Sequence, residues 1–249
     1  MEWNPLVAVG LGTSAVVATL GPLVLALVLW RRGASLKAWG VGALTFAVSQ
    51  LVLRLPWQVP LNLWLAPKLK DDAGLLFAWL AFSALTAGLF EETGRWVAYR
   101  TLWKDRSTLG GVMLGAGHGG LESIVLVGLS LLSSTVVYVA LTHGVTLGIP
   151  EAVLPKVHQQ FAEVTPLVSF LGGVERVAAM LLHVGCSLLV LEGVRRADKR
   201  WLVGSMAVHT LLNVVGVALA KWVSPLAAEG ALLTLGLAVL WLAARRSRG

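Results

Sequence analysis

The sequence contains few charged residues and a single cysteine. Only 13% of its 249 residues are Asp, Glu, Lys or Arg, whereas soluble domains carry about 25%. This shortage of charge, together with 57% hydrophobic residues and a mean hydropathy of +0.78, excludes a soluble globular protein and indicates an integral membrane protein. Because Cys186 stands alone, no disulfide can form within the chain.

The net charge of +7 comes largely from four short basic clusters that flank apolar stretches. This pattern is typical of cytoplasmic loops. Contact with anionic lipid explains the clusters, so we expect the lipid bilayer as a partner and no nucleic acid. The clusters are RRGASLK (31–37), YRTLWKDR (99–106), RRADKR (195–200) and ARRSRG (244–249).

Seven apolar runs are long enough to cross a bilayer as helices. We therefore predict an all-α fold in the cell membrane, with residues 1–249 forming one polytopic helical domain. Placing every basic cluster inside puts the N-terminus outside and the C-terminus in the cytoplasm. The runs cover about 5–30, 36–55, 73–98, 109–132, 166–193, 201–222 and 226–244.

Residues 133–165 decide between seven and eight spans. Their apolar part, about 134–148, is short for a span, and the cluster at 195–200 would fall outside if it crossed. We interpret it as a re-entrant or interfacial outer segment, followed by a short surface helix within 150–165, with an eight-span bundle as the alternative. Residues 56–72 indicate an interfacial outer loop with an aromatic anchor. Arg54 before it is expected to snorkel outward, with a role in substrate binding as the alternative.

Ionisable side chains lie deep inside four of the predicted spans. Such groups are costly in a bilayer and are usually functional. Counted from the nearest basic cluster at about 1.5 Å per residue, all four sets lie roughly 14–18 Å deep, half-way through a core about 30 Å thick. The matching depths predict one shared polar site, formed by spans within 73–222. Its members are Glu91, Glu92 and Arg95; His118 and Glu122; His183; and His209 with Asn213.

Helical spacing gives the first of these sets a chemical interpretation. Arg95 follows Glu91 by four residues and Glu92 by three, so it can reach either carboxylate on one helix face. One acid can be held by the arginine while the other serves as a general base. A buried ion pair that only fixes helix packing is the simpler alternative.

The other sets suit metal binding or transition-state stabilisation. His118 and Glu122, four residues apart, can be two metal ligands or a histidine with its orienting carboxylate. Asn213, one turn after His209, can fix a histidine tautomer or donate to an oxyanion. Glycines at 111 and 115 are explained by close helix packing, whereas Gly119 and Gly120 are expected to leave room for water or an extended peptide.

The order of these motifs resembles a known superfamily. An EExxR motif followed by histidines that end in HxxxN is similar to the CAAX-prenyl-endopeptidase superfamily of intramembrane proteases, and the HGGLE element resembles its bacterial YhfC-type family of membrane peptidases. FEETGRWVAYRTLWKDR and LLHVGCSLLVLEG are also similar to the anterior-pharynx-defective subunit of γ-secretase. The resemblance covers about residues 85–245.

The resemblance implies a protease that activates water. It assigns Glu91 to act on the water, matches Arg95 and His118 to conserved motif positions, and assigns His209 with Asn213 to stabilise the oxyanion. His183 and Glu122 are additions to the superfamily pattern. The similarity to the γ-secretase subunit implies instead a non-catalytic scaffold that docks a partner.

We therefore hypothesise an intramembrane endopeptidase that cleaves peptides or membrane proteins, with Glu91 or Glu92 deprotonating water. Three histidines suit a catalytic zinc ion with one open position. Our expected ligands are His118, His183 and His209, with Glu122 as a ligand or an orienting group; a metal-free site is the alternative. A partner-binding scaffold and a proton-coupled transporter are the rival functions.

Overall fold

The computed structural model describes residues 4–246, and these form ten α-helices and two π-helical segments without a β-strand. Residues 247–249 of the last basic cluster, and residues 1–3, lie outside the described part. The elements are α1 (Pro5–Arg31), α2 (Leu36–Phe46), π1 (Ala47–Arg54), α3 (Leu55–Leu69), α4 (Ala73–Thr101), α5 (Thr108–Glu122), π2 (Ser123–Gly128), α6 (Leu129–Thr142), α7 (Leu154–Ala162), α8 (Pro166–Arg195), α9 (Arg200–Trp222) and α10 (Pro225–Arg246).

Seven helices of the described chain are long and apolar enough to cross a membrane, which confirms the predicted number of spans. Two of them are compound. The second span runs without a break through α2, π1 and α3 (Leu36–Leu69), and the fourth runs through α5, π2 and α6 (Thr108–Thr142). The eighth span is not found among residues 4–246. With an odd number of spans, the chain enters its first span and leaves its last span on opposite sides of the membrane. Which of these sides faces the cytoplasm stays a prediction.

The structure corrects two of the predicted outer segments. Residues 134–142 are not re-entrant, because they continue the fourth span as α6, where Thr135 donates its hydroxyl hydrogen bond back to the carbonyl of Leu131. Residues 55–69 are not a loop, because they continue the second span as α3. This second span is 34 residues long, which at about 1.5 Å per residue exceeds the bilayer core.

Two features of these outer segments agree with the sequence. The short surface helix predicted within 150–165 is present as α7. No residue of α3 is buried, and Trp64 on α3 is exposed with the ammonium group of Lys68 over its ring at 4.4 Å. An aromatic anchor is therefore displayed as expected, although from a helix.

Side-chain caps fix where the spans begin. The side chains of Asn4, Ser35, Asp72, Ser107 and Thr165 each accept a hydrogen bond from a backbone amide in the first turn of the helix that follows. Such caps satisfy amides that have no partner within the helix. They set the register of each span and therefore the depth of its polar groups.

Helix α8 is the central element of the bundle. In its most apolar stretch 67% of the residues are buried, against 39% or less in every other span of the described chain. It contacts α1, α4, α5, α9 and α10. The polar residues that it carries at mid-length therefore lie at the centre of the protein.

Close approach of the backbones brings α5 against its neighbours. A Cβ atom on Gly42 of α2 would lie 1.9 Å from the carbonyl oxygen of Leu114, and one on Gly115 would lie 2.7 Å from the Cα of Val184 on α8. Neither contact leaves space for a side chain. The predicted packing role of Gly115 is thereby confirmed.

We expect Gly42→Ala to loosen α2 from α5, because the new methyl group overlaps backbone that cannot move aside. The predicted loss in the free energy of unfolding is about 1–3 kcal/mol, measured as a lower unfolding temperature in detergent. Gly40→Ala is the matched control on the same helix, since its Cβ would meet nothing within 4 Å. Equal unfolding temperatures for the two variants would contradict this account of the packing.

Candidate metal centre

The polar side chains of four spans meet at one point in the bundle. Glu91, on α4, is within hydrogen-bonding distance of His118, on α5. The ring centres of His118 and His183 are 5.3 Å apart, and those of His183 and His209 are 5.4 Å apart. The geometry therefore joins α4, α5, α8 and α9 in one buried cluster. Glu92 and Arg95 belong to the same cluster, and neither side chain is exposed.

Glu91 lies at the focus of the three imidazole rings. Its Oε2 atom is 2.9 Å from Nε2 of His118, 3.8 Å from Nδ1 of His183 and 3.9 Å from Nε2 of His209. Ligand atoms at about 2.0–2.1 Å around a tetrahedral zinc ion are roughly 3.3 Å apart. The three distances from Glu91 are of this order, which places its carboxylate within reach of an ion held between the imidazoles.

Thr45 fixes the tautomer of His118. Its hydroxyl donates to the carbonyl of Gly42 at 2.6 Å, so the same oxygen can only accept at its 2.8 Å contact with Nδ1 of His118. The ring proton is therefore on Nδ1, and the lone pair of Nε2 faces the Glu91 carboxylate. Two acceptors that face each other at 2.9 Å need a cation or a proton between them. Metal-binding histidines are oriented in this way.

Glu92 fixes the tautomer of His209. Its carboxylate accepts from Nδ1 of His209 at 2.7 Å, from the hydroxyl of Ser205 at 2.8 Å and from the guanidinium of Arg95. Nε2 of His209 thus keeps its lone pair on the side of Glu91. Three donors therefore engage the Glu92 carboxylate, which holds the ring of His209 in this orientation.

His183 is held between an arginine and an acid. The guanidinium of Arg95 can only donate, so its 2.7 Å contact with Nδ1 of His183 places the ring proton on Nε2. That nitrogen lies 2.8 Å from Oε2 of Glu122. Glu122 is paired in turn with Arg176, which also forms an ion pair with Glu175. His183 and Glu122 therefore form a coupled pair at one side of the cluster.

Two sets of side chains have the spacing of a metal site. Ligand atoms of Glu91, His118, Glu122 and His183 all lie within 4.8 Å of one another, and so do those of Glu92, Cys186 and His209. Three members of the first set, Glu91, Glu122 and His183, line the cavity described below, and the set has the donor types of a cation site. In the second set Glu92 and His209 are already hydrogen-bonded to each other, and Cys186 is buried.

The glycines beside His118 do not open a path for substrate, which corrects the sequence interpretation. A Cβ atom on Gly119 would lie 2.7 Å from Cδ2 of His183, and one on Gly120 would face Pro22 and Trp39. The space that Gly119 leaves is therefore filled by the ring of His183. This glycine allows two of the histidines to come together.

A cavity of about 300 Å³ reaches the cluster from one end of the bundle. On α4 its wall runs from Leu80 to Glu91, on α8 from Glu175 to His183, and on α9 from His209 to Val217. In each helix these positions lie on the side of the site away from the basic cluster. The cavity therefore extends toward the end of the bundle that is predicted to be outside, and Asn213 lies on its wall.

The second span supplies site residues that the sequence interpretation missed. The amide of Gln50 donates to Oε1 of Glu91, and Arg54 is buried, with Nη1 donating to Oε1 of Gln50 at 2.8 Å. The expectation that Arg54 snorkels outward is wrong, because π1 turns both side chains toward the bundle. Polar residues within an otherwise apolar span were the available signal.

Comparison with known proteins agrees with this arrangement. The YhfC intramembrane metalloprotease family model matches residues 16–231. The chain belongs to this family. It is 34% identical over 218 residues to a Bacillus subtilis (strain 168) protein described as "Uncharacterized membrane protein YhfC", and the match covers 83% of each protein. No solved structure matches the chain significantly. The family assignment and the seven apolar helices identify a multi-pass integral membrane protein.

We expect Thr45→Val to weaken metal binding about 10–100-fold, because the hydroxyl that holds the His118 ring is lost while the side-chain volume is kept. The dissociation constant for zinc, measured by competition with a chelator, tests this. Thr45→Ser keeps the hydroxyl and should bind zinc as the unaltered chain does. Unchanged affinity in the valine variant would show that Thr45 does not orient His118.

Proposed function

We propose that the chain is a metal-dependent peptidase that hydrolyses peptide bonds within the membrane. The observation that carries this proposal is the position of Glu91. Its Oε2 atom lies among three imidazoles at the inner end of a cavity, while its neighbour Glu92 is fully engaged. The family description as an intramembrane metalloprotease supports the same activity.

The donor set suits zinc. The Nε2 atoms of His118 and His209 would hold the ion together with a carboxylate oxygen of Glu122, and borderline-soft nitrogen with carboxylate oxygen is a set that zinc accepts. When bound, the ion supplies Lewis-acid polarisation of a carbonyl and lowers the pKa of water. His183, whose two ring nitrogens face Arg95 and Glu122, would orient Glu122, so three of the four residues that the sequence nominated remain ligands in this proposal.

Glu91 is the proposed general base. Gln50 engages its Oε1 atom, so Oε2 is the oxygen directed at the reaction centre. In the proposed reaction Glu91 accepts a proton from water as the water oxygen bonds to the peptide carbonyl carbon. It then gives that proton to the leaving nitrogen as the C–N bond breaks. The products are a carboxylic acid, which keeps the second proton of the water until it ionises, and an amine.

Arg95 and Asn213 have supporting roles in this proposal. Arg95 contacts Glu92 and His183 directly and lies 3.6 Å from Glu91, so it would hold the orienting acid in place and put a positive charge beside the proposed base. Asn213 lines the cavity one turn from His209, where its amide can donate to the oxygen that becomes negative during attack.

The substrate in this proposal is a peptide or a membrane protein that reaches the site from the end of the bundle opposite the basic clusters. The cavity wall has apolar members as well as polar ones, among them Leu80, Leu126 and Leu232. Such a wall suits an apolar segment with an accessible backbone. In the topology predicted from the basic clusters, this end faces outside.

Protein purified in detergent should contain about one zinc ion per chain by elemental analysis, as expected for a single catalytic site. Replacing both His118 and His209 by alanine should remove it, because the two oriented lone pairs are lost. Replacing the exposed His143 by alanine is the control and should leave the zinc content unchanged. Metal-free protein that still hydrolyses peptides would overturn the metal-dependent mechanism.

Glu91→Gln should lower the rate of peptide hydrolysis about 10²–10⁴-fold, the usual contribution of a general base. Zinc content and unfolding temperature are measured beside the rate, and both should persist because the amide is isosteric. Glu163→Gln, at an exposed position, is the control with an unaltered rate. The contrary outcome is a Glu91→Gln variant that is largely unfolded but whose folded fraction cleaves peptides at the normal rate. That outcome would show that Glu91 is structural and would favour a scaffold role.

A further inference from the structure

Arg54 is a buried cation without an acidic partner. It is 7% exposed and lies on the wall of the cavity that ends at Glu91. The buried arginines Arg95 and Arg176 both form ion pairs with glutamates. Within residues 4–246, Arg54 forms none. Glu91 and Glu122 act on Arg54 only from beyond ion-pair distance. Burying a charge without a counter-ion in direct contact is costly, so the position of Arg54 requires an explanation.

The protein groups around Arg54 are neutral oxygens. Its Nε donates to the hydroxyl of Thr86 at 3.1 Å, its Nη1 to the side-chain oxygen of Gln50 at 2.8 Å, and its Nη2 to the carbonyl of Ser83 at 2.6 Å. A guanidinium has five N–H groups, so these three bonds leave two N–H groups for a further acceptor.

A second polar group on the same wall lacks a partner. The hydroxyl oxygen of Ser83 is buried and forms no hydrogen bond with any residue of the described chain. Buried polar atoms are nearly always hydrogen-bonded, so an orphan hydroxyl calls for a specific explanation. Ser83 also contributes the carbonyl that binds Arg54, which places the orphan hydroxyl beside the unpaired cation.

The distance from this pair to the reaction centre is set by Gln50. Its side-chain amide bridges Arg54 and Glu91, accepting from the first and donating to the second. Two hydrogen bonds in series across one amide span at most about 8 Å. An extended peptide rises about 3.3 Å per residue, so a group bound at Arg54 lies roughly two residues from a carbonyl at Glu91.

We propose that Arg54 and Ser83 form a carboxylate-binding subsite that selects peptides carrying a negative group about two residues from the cleaved bond. The carboxylate would accept the remaining N–H groups of Arg54 and the hydroxyl hydrogen of Ser83. It can come from a free C-terminus or from an acidic side chain. The inference rests on the proposed function for the identity of the ligand as a peptide.

Binding to the Glu91→Gln variant tests the subsite without turnover. The probes are acetyl-Ala-Ala with a free acid, the same peptide as an amide, and acetyl-Ala-Glu as an amide. We expect the free acid to bind at least about tenfold more tightly than its amide, the effect of a charge-assisted hydrogen bond. Tight binding of acetyl-Ala-Glu amide would identify an acidic side chain as the source, and weak binding would identify the C-terminus.

Arg54→Gln, combined with Glu91→Gln, should bind the acid and the amide equally, whereas Arg100→Gln, at an exposed position near the basic end of α4, should keep the preference. Equal dissociation constants for the acid and amide in the chain that retains Arg54 would overturn the proposal, and this comparison does not require the Arg54 variant to fold. Equal dissociation constants for acid and amide are expected if Arg54 only orients Gln50.

The experiments distinguish a failure of the proposed peptidase activity from a failure of the proposed subsite. A preference for the acid in a protein that hydrolyses no peptide would support the subsite and overturn the proposed activity. Hydrolysis of acid and amide peptides with the same KM would support the activity and overturn the subsite.

Discussion

The bundle depends on the neutralisation of acids that lie at its centre. Glu92 and Arg95 have fully buried side chains and form an ion pair. Removing one member of such a pair leaves a buried charge, which typically costs about 3–5 kcal/mol. Arg95 also donates to His183, and Glu92 accepts from His209, so this ion pair determines the position of two imidazoles.

The same site interrupts regular helix geometry in two spans. π1 carries Gln50 and Arg54, and π2 begins immediately after Glu122. π-Helical segments are uncommon and occur frequently at functional sites. Here each one changes the direction of side chains at the level of the cluster, after which the span continues as an α-helix. The two π-helical segments therefore lie at the same level of the bundle as the polar cluster.

Length and hydropathy were sufficient to predict the seven spans, because a bilayer sets the length of a helix that crosses it. Counting residues from the basic clusters also predicted that groups far apart in the chain share one depth. The sequence did not allow us to predict in which direction around the helix axis each side chain points. Arg54 was assigned outward because the second span was predicted to end at about residue 55, whereas it continues to Leu69. Gly119 was assigned to a substrate path although the ring of His183 fills that space.

The depth of the site constrains any segment that is to be cut there. A peptide crossing lipid is helical, because every backbone group must be hydrogen-bonded, and its carbonyls are then engaged and shielded. An extended segment can exist at this depth only where protein groups replace the lost bonds. The cavity wall provides such groups along its length, from Asn213 and Gln50 to Ser83 and Arg54. Its polarity, rather than its volume, is therefore the feature that can make a buried peptide bond available to Glu91.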